Sequence, residues 1–158
     1  MNNIDRIFSK DPKKFADSYL NYLQSILNKI DTKEIASFIE TLLSARKRKA
    51  TVFFIGNGGS AATASHFAND ISIGTNDYDE PFKAISLTDN VSILTAIGND
   101  FGYEEIFVRQ LRVLGQPEDV LVGISASGNS PNLLKAFEYA KNTGIKSVAI
   151  TAFDGGKL

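Results

Sequence analysis

The spacing of apolar residues changes once along this chain, near residue 50. Before that point they recur at helical intervals. In FADSYLNYLQSILNKI (15–30), Phe15, Tyr19, Tyr22, Leu23, Ile26 and Ile30 fall on one stripe. A second stripe follows, made by Ile35, Phe38, Ile39, Leu42 and Leu43. Asp31 with Glu34 three residues on reads as its capping-box start. After residue 50 the chain carries short apolar runs rich in β-branched residues: TVFFI (51–55), KAISL (83–87), DVLVGIS (119–125) and KSVAIT (146–151). Such runs predict strands buried on both faces, as in a parallel sheet. Between them, helices are expected at about 60–72, 90–97, 104–114 and 130–142. The alternation predicts an α/β, doubly wound parallel sheet with right-handed crossovers, preceded by two N-terminal helices. Without a linker before residue 51, residues 1–158 read as a single domain with 1–50 as its helical lead.

Composition narrows the function classes. A 158-residue chain with 43% hydrophobic and 22% charged residues has the balance of a folded domain able to bury a core. Its net charge of −1 argues against a general electrostatic grip on nucleic acid or an anionic membrane. The basic run Arg46-Lys47-Arg48-Lys49 falls in the last turn of a predicted helix, where cations suit the macrodipole, and reads as a solvated cap. With no cysteine, disulfides, thiolate metal sites and Cys nucleophiles are excluded together. The polar start after Met1 is not a signal peptide, and no apolar run reaches the roughly 20 residues that span a bilayer. A cytoplasmic location is expected.

Two strand-end loops carry distinctive chemistry. The first is Gly56-Asn57-Gly58-Gly59-Ser60, and the second is Ser125-Ala126-Ser127-Gly128-Asn129-Ser130, followed by Pro131 at a favoured first helical position. Ligands of open parallel sheets gather beyond the carboxyl ends of the strands. Glycines let backbone N–H groups approach an anion, and a helix N-terminus adds about half a positive charge. Serine hydroxyls can donate to phosphate oxygens. One such loop is most simply an ordinary βα turn with a Ser cap, but the pair together points to a phosphorylated small molecule. Neither loop is a Walker A sequence or fits G-x-G-x-x-G, so no nucleotide cofactor is expected.

These residues resemble a known family. SASGNSPN (125–132) is similar to the phosphate loop of sugar isomerase (SIS) domains. FIGNGGSAATASHFA (54–68), LTAIGNDFGYEEIFVRQL (94–111) and DVLVGISASGNSPN (119–132) resemble the phosphoheptose isomerase branch, over nearly all of residues 12–158. The resemblance implies a flavodoxin-like SIS fold and an isomerase that interconverts sedoheptulose 7-phosphate and an aldoheptose 7-phosphate through an enediol. It places that reaction in nucleotide-activated heptose biosynthesis for surface polysaccharide. It also implies that Ser60, Ser125, Ser127 and Ser130 bind phosphate, with Ala126 in the same loop, and that Asn57, Gly58 and Gly59 line the sugar. Asn99 and Asp100 match a loop that reaches the substrate. The implied assembly is a homotetramer, with active sites at subunit interfaces and contacts made by the N-terminal helices.

His66, the only histidine, and Asp70 stand at i and i+4 of a predicted helix and share a face. An enediol mechanism needs a base beside the carbonyl and a group that returns the proton. By resemblance, Asp70 is that base and His66 its partner. In the family the Asp70 position is normally Glu, which also binds zinc beside the His in zinc-containing members, so His66 and Asp70 are candidate zinc ligands. Two ligands are half of a zinc site. The family's last helix supplies a further Gln and His, and is expected to fall beyond the TAFDGGKL (151–158) that ends this sequence. Two other readings compete: a non-catalytic SIS tetramer that acts as a scaffold for the bacterial replication initiator, and a sugar-phosphate sensor.

Overall fold

The structure, a computed structural model, describes residues 3–158. Contacts divide the chain into two compact units, one ending at Ser37 and one running from Phe38 to Leu158. The first unit contains α1 (Asn3–Ile7), α2 (Pro12–Leu27) and the start of α3 (Thr32–Arg48). Asp11 caps α2, its Oδ1 accepting the Lys13 N–H at 3.0 Å, and Pro12 takes the first helical position. Asp31 caps α3 as its sequence predicts, accepting the Lys33 N–H at 2.8 Å. No described helix is long and apolar enough to cross a membrane.

The second unit is built on four parallel strands: β1 (Thr51–Gly56), β2 (Lys83–Ser86), β3 (Val120–Ser125) and β4 (Lys146–Thr151). They lie in the order β2-β1-β3-β4. Strand alternation splits the core in two. Val52, Phe54, Val120, Val122 and Ile124 pack with Ala45 of α3 and with Ala64 and Ala68 of α4 (Gly59–Asn69). Phe53, Ile55 and Leu121 pack on the other side with α6 (Val108–Leu114) and α7 (Pro131–Thr143). Helices on both faces are the doubly wound arrangement expected.

Burial on both faces holds for β1 and β3 only. β2 and β4 are the edges among the described strands and are largely exposed. Their β-branched composition signals strand, but it carries no information about which strands end up central. The helix expected at 60–72 is α4 followed by a wider π turn, Asp70–Gly74. The one expected at 104–114 breaks into a 3-10 turn, Tyr103–Glu105, and α6. The one expected at 90–97 is α5 (Val91–Phe101), which runs on through Asn99 and Asp100, so these two are helical rather than in a loop. Asn90 caps α5, its Oδ1 accepting the Ile93 N–H at 3.0 Å.

From β1 the chain winds outward to β2 in one direction and to β3 in the other. Such a reversal opens a crevice at the carboxyl ends of the two central strands. Both glycine–serine loops leave the sheet there.

Candidate active site

A cavity of about 230 Å³ occupies that crevice, lined by Asn57 and Ser60 after β1 and by Ile124, Ser125, Ala126, Ser127 and Ser130 after β3. The register explains why the loops meet: Gly56, the last residue of β1, pairs with Ile124 of β3. Gly58 turns the chain into α4 at φ +54°, a conformation that favours glycine. Ser60 and Ala61 then donate their N–H groups to the carbonyls of Asn57 and Gly58 at 2.9 and 3.0 Å, closing the first turn.

Among the described residues, none accepts a hydrogen bond from the hydroxyls of Ser60, Ser125, Ser127 and Ser130. Ser125 Oγ accepts the Gly128 N–H at 3.1 Å, and Ser127 Oγ accepts the Asn129 N–H at 3.3 Å. A hydroxyl that accepts still has its own proton to donate. Ser130 stands at the N-cap of α7 without using its side chain as a cap. The lining is uncharged, and the N-termini of α4 and α7 begin beside it. Hydroxyl donors with two helix N-termini suit a phosphate group.

The serine loop is braced from behind. Ala152 donates its N–H to the Ala126 carbonyl at 3.2 Å, and Lys157 donates to that of Gly128 at 3.0 Å. Gly128 lies at φ +61°, and a Cβ placed on it would stand 1.9 Å from the Gly155 carbonyl oxygen.

Asn57 is held by two residues that the sequence did not single out as functional. Its Nδ2 donates to Asn132 Oδ1 at 3.0 Å, and Asn132 Nδ2 donates back to Asn57 Oδ1 at 2.8 Å. Tyr103 Oη donates to the same Asn57 oxygen at 3.0 Å. The turn carrying Tyr103 is tied to α7 by Lys135, whose Nζ donates to Glu105 Oε1 at 2.9 Å. That hydrogen bond holds the Glu105 carboxyl below its ordinary range and raises Lys135 above its own.

His66 and Asp70 form the expected pair, with Nε2 and Oδ2 3.0 Å apart on exposed side chains. They line a separate cleft of about 520 Å³ along α4 and the π turn. Within one chain the structure therefore does not bring them into the serine cavity. Gly58 and Gly59 also lie outside its lining, as do Asn99 and Asp100, where Asn99 Nδ2 donates to Asp100 Oδ1 at 2.8 Å. The helix carrying His66 is fastened by its neighbour Ser65, which bonds to Thr88 Oγ1 at 3.0 Å and to Asp89 beyond β2.

The donor set can be tested against zinc. Among the described residues there is no cluster of three or more His, Cys, Asp or Glu placed to hold a metal. His66 and Asp70 supply two donors, whereas protein zinc sites use three or four. By themselves they do not fit the ion.

Comparison with known proteins agrees with this architecture. The SIS domain profile matches residues 14–152. A phosphoheptose isomerase from Helicobacter pylori is 41% identical over 155 residues, which is 98% of this chain and 78% of that protein. The solved structure of a phosphoheptose isomerase from Neisseria gonorrhoeae superposes with a TM-score of 0.82 at 37% identity, over 92% of this chain and 77% of that one. The structure of another from Francisella tularensis gives 0.80 at 31% identity, over 100% of this chain and 79% of that one.

The braced serine loop makes a direct prediction. Gly128→Ala forces a side chain into the left-handed region and against Gly155. Backbone strain of this kind costs on the order of 1–3 kcal/mol, and about 1.4 kcal/mol is tenfold in affinity. Titrated with inorganic phosphate and followed by amide NMR, the variant should need about tenfold more phosphate for half-saturation. Unchanged affinity would mean that this loop does not hold the anion.

Proposed function

Because this chain belongs to the phosphoheptose isomerases of the SIS domain family, we propose that it interconverts sedoheptulose 7-phosphate and an aldoheptose 7-phosphate, supplying nucleotide-activated heptose biosynthesis. The observation that carries this reading is the uncharged cavity at the switch point, where four serine hydroxyls are free to donate to one anion.

The substrate's geometry accounts for two separate clefts. Its phosphate is on C7 and its reacting carbons are C1 and C2, at opposite ends of a seven-carbon chain. His66 lies six residues beyond Ser60 on α4, about 9 Å along a helix rising 1.5 Å per residue. Phosphate binding and proton transfer are thus distributed along one helix.

In the proposed reaction the Asp70 carboxylate takes a proton from C1 of the ketose. The freed electron pair forms the C1–C2 double bond, and the C2 carbonyl oxygen takes a proton from water to become a hydroxyl. Water then takes the proton from the C1 hydroxyl as the C1 carbonyl forms, and the electron pair of the C1–C2 double bond takes a proton at C2 from the Asp70 carboxyl. His66 Nε2, 3.0 Å from Asp70 Oδ2, orients the carboxylate.

The chain is further proposed to act as a homotetramer with active sites at subunit interfaces. Apolar side chains exposed on the N-terminal helices support this, including Leu20 at 61%, Leu27 at 55% and Ile39 at 50%. Sedimentation equilibrium should give four chains per particle; a monomer retaining full turnover would overturn the assembly.

Asp70→Asn should lower turnover of sedoheptulose 7-phosphate by about 10²–10⁴-fold, the usual worth of a positioned acid–base group. Competition by inorganic phosphate should be unaffected, because Asp70 lies outside the serine cavity. Wild-type turnover in the variant would remove Asp70 from the chemistry. The scaffold and sensor readings predict no turnover in either protein.

A further inference from the structure

Asn57 is already expected to meet the sugar phosphate; the structure adds which of its atoms is available to do so. A side-chain amide has one oxygen with two acceptor sites and one nitrogen with two hydrogens. The oxygen of Asn57 is filled by Asn132 Nδ2 and Tyr103 Oη. One hydrogen of its nitrogen is taken by Asn132 Oδ1, which leaves one N–H.

One neighbour favours this orientation over its reverse. Asn132 Oδ1 also accepts the backbone N–H of Leu133 at 3.1 Å, and a backbone N–H can only donate. The same N–H is shared with the Ser130 carbonyl at 3.1 Å, so a reversed Asn132 would point its own donors at it; the oxygen of Asn132 is therefore favoured here, with the nitrogen of Asn57 facing it. Turning either amide over would set donor against donor. Asn132 is 1% exposed, where unmatched polar groups are costly.

We infer that Asn132, assisted by Tyr103, is a positioning residue that locks Asn57 as a donor with a single free N–H, for an acceptor oxygen of the bound sugar phosphate. This rests on the isomerase reading for the identity of the ligand. It makes a selective claim about chemistry: at this point the site recognises an oxygen lone pair and cannot accept a hydroxyl proton. Asn132 touches Asn57 rather than the reacting carbons, and Tyr103 reaches it from the turn that Lys135 ties to α7.

The test uses the full chain and sedoheptulose 7-phosphate. Asn132→Ala should raise KM about tenfold, the worth of one hydrogen bond to a charged group, with kcat nearly unchanged. A loss of folded protein alone would instead lower kcat and leave KM where it was. Tyr103→Phe guards against misfolding, since Tyr103 is 60% exposed and only its hydroxyl is lost. It should raise KM in the same sense by a smaller factor.

The double variant Asn57→Ala/Asn132→Ala should show the KM of Asn57→Ala alone, because the two act as one unit. Multiplying effects would overturn the inference, as would unchanged KM in both Asn132→Ala and Tyr103→Phe. A second readout does not depend on turnover. The Asn57 side-chain amide signals, assigned by their loss in Asn57→Ala, should shift at one of the two Nδ2 protons on adding sedoheptulose 7-phosphate. An inactive chain showing that shift would sink the isomerase reading and uphold the positioning role. Absence of any shift on saturation would overturn the positioning role itself.

Discussion

The pair of hydrogen bonds between the amides of Asn57 and Asn132 is the constraint on which the site depends. Asn57 follows β1 and Asn132 opens α7 after β3, 75 residues further on. The pair bridges the crevice where the winding of the sheet reverses. The serine loop lies between β3 and Asn132, so its two ends are fixed by the strand and by this bridge. With Gly155 and Gly156 packed behind Gly128, the loop has little room to adopt another shape. Three small hydroxyls are thereby collected on a short stretch of backbone, and Ser60 adds a fourth from the loop after β1.

An uncharged cradle follows from the same economy. Lysine or arginine would bind an anion at long range, but each long side chain would lose conformational freedom on being fixed. Serine hydroxyls on a braced loop, beside two helix N-termini, present donors with little left to order. Charges instead stand further out, where Lys135 and Glu105 pair across the Tyr103 turn and α7. There they fix the turn whose tyrosine completes the coordination of Asn57.

Much of this was legible in the sequence, and the exceptions have physical causes. Short β-branched runs and helical stripes pointed to the alternating architecture, and the residue types at the end of β3 pointed to Ser125, Ser127 and Ser130, whereas Asn57 and Ser60 were marked out by the resemblance to SIS domains. The edge positions of β2 and β4 were not legible, because strand order is set by long-range pairing rather than by local composition. The resemblance placed Asn99 and Asp100 in a loop that reaches the substrate, whereas α5 continues through them to Phe101. Asn132 was hidden as a polar residue in the first turn of a helix, where asparagine is unremarkable. Its partnership with Asn57 exists only once β1 and β3 are neighbours. The spacing of His66 and Asp70 correctly gave their contact, but periodicity could not place that contact in a cleft apart from the serines.

The central claim is that a phosphate held at the ends of β1 and β3 presents the far end of a sugar for proton transfer. Proton NMR of the chain with sedoheptulose 7-phosphate in D₂O tests it most directly. The account predicts an aldoheptose 7-phosphate carrying deuterium at C2, since the proton returned there passes through a base in contact with solvent. Saturation of the serine cavity by the substrate, with neither product nor exchange, would contradict it.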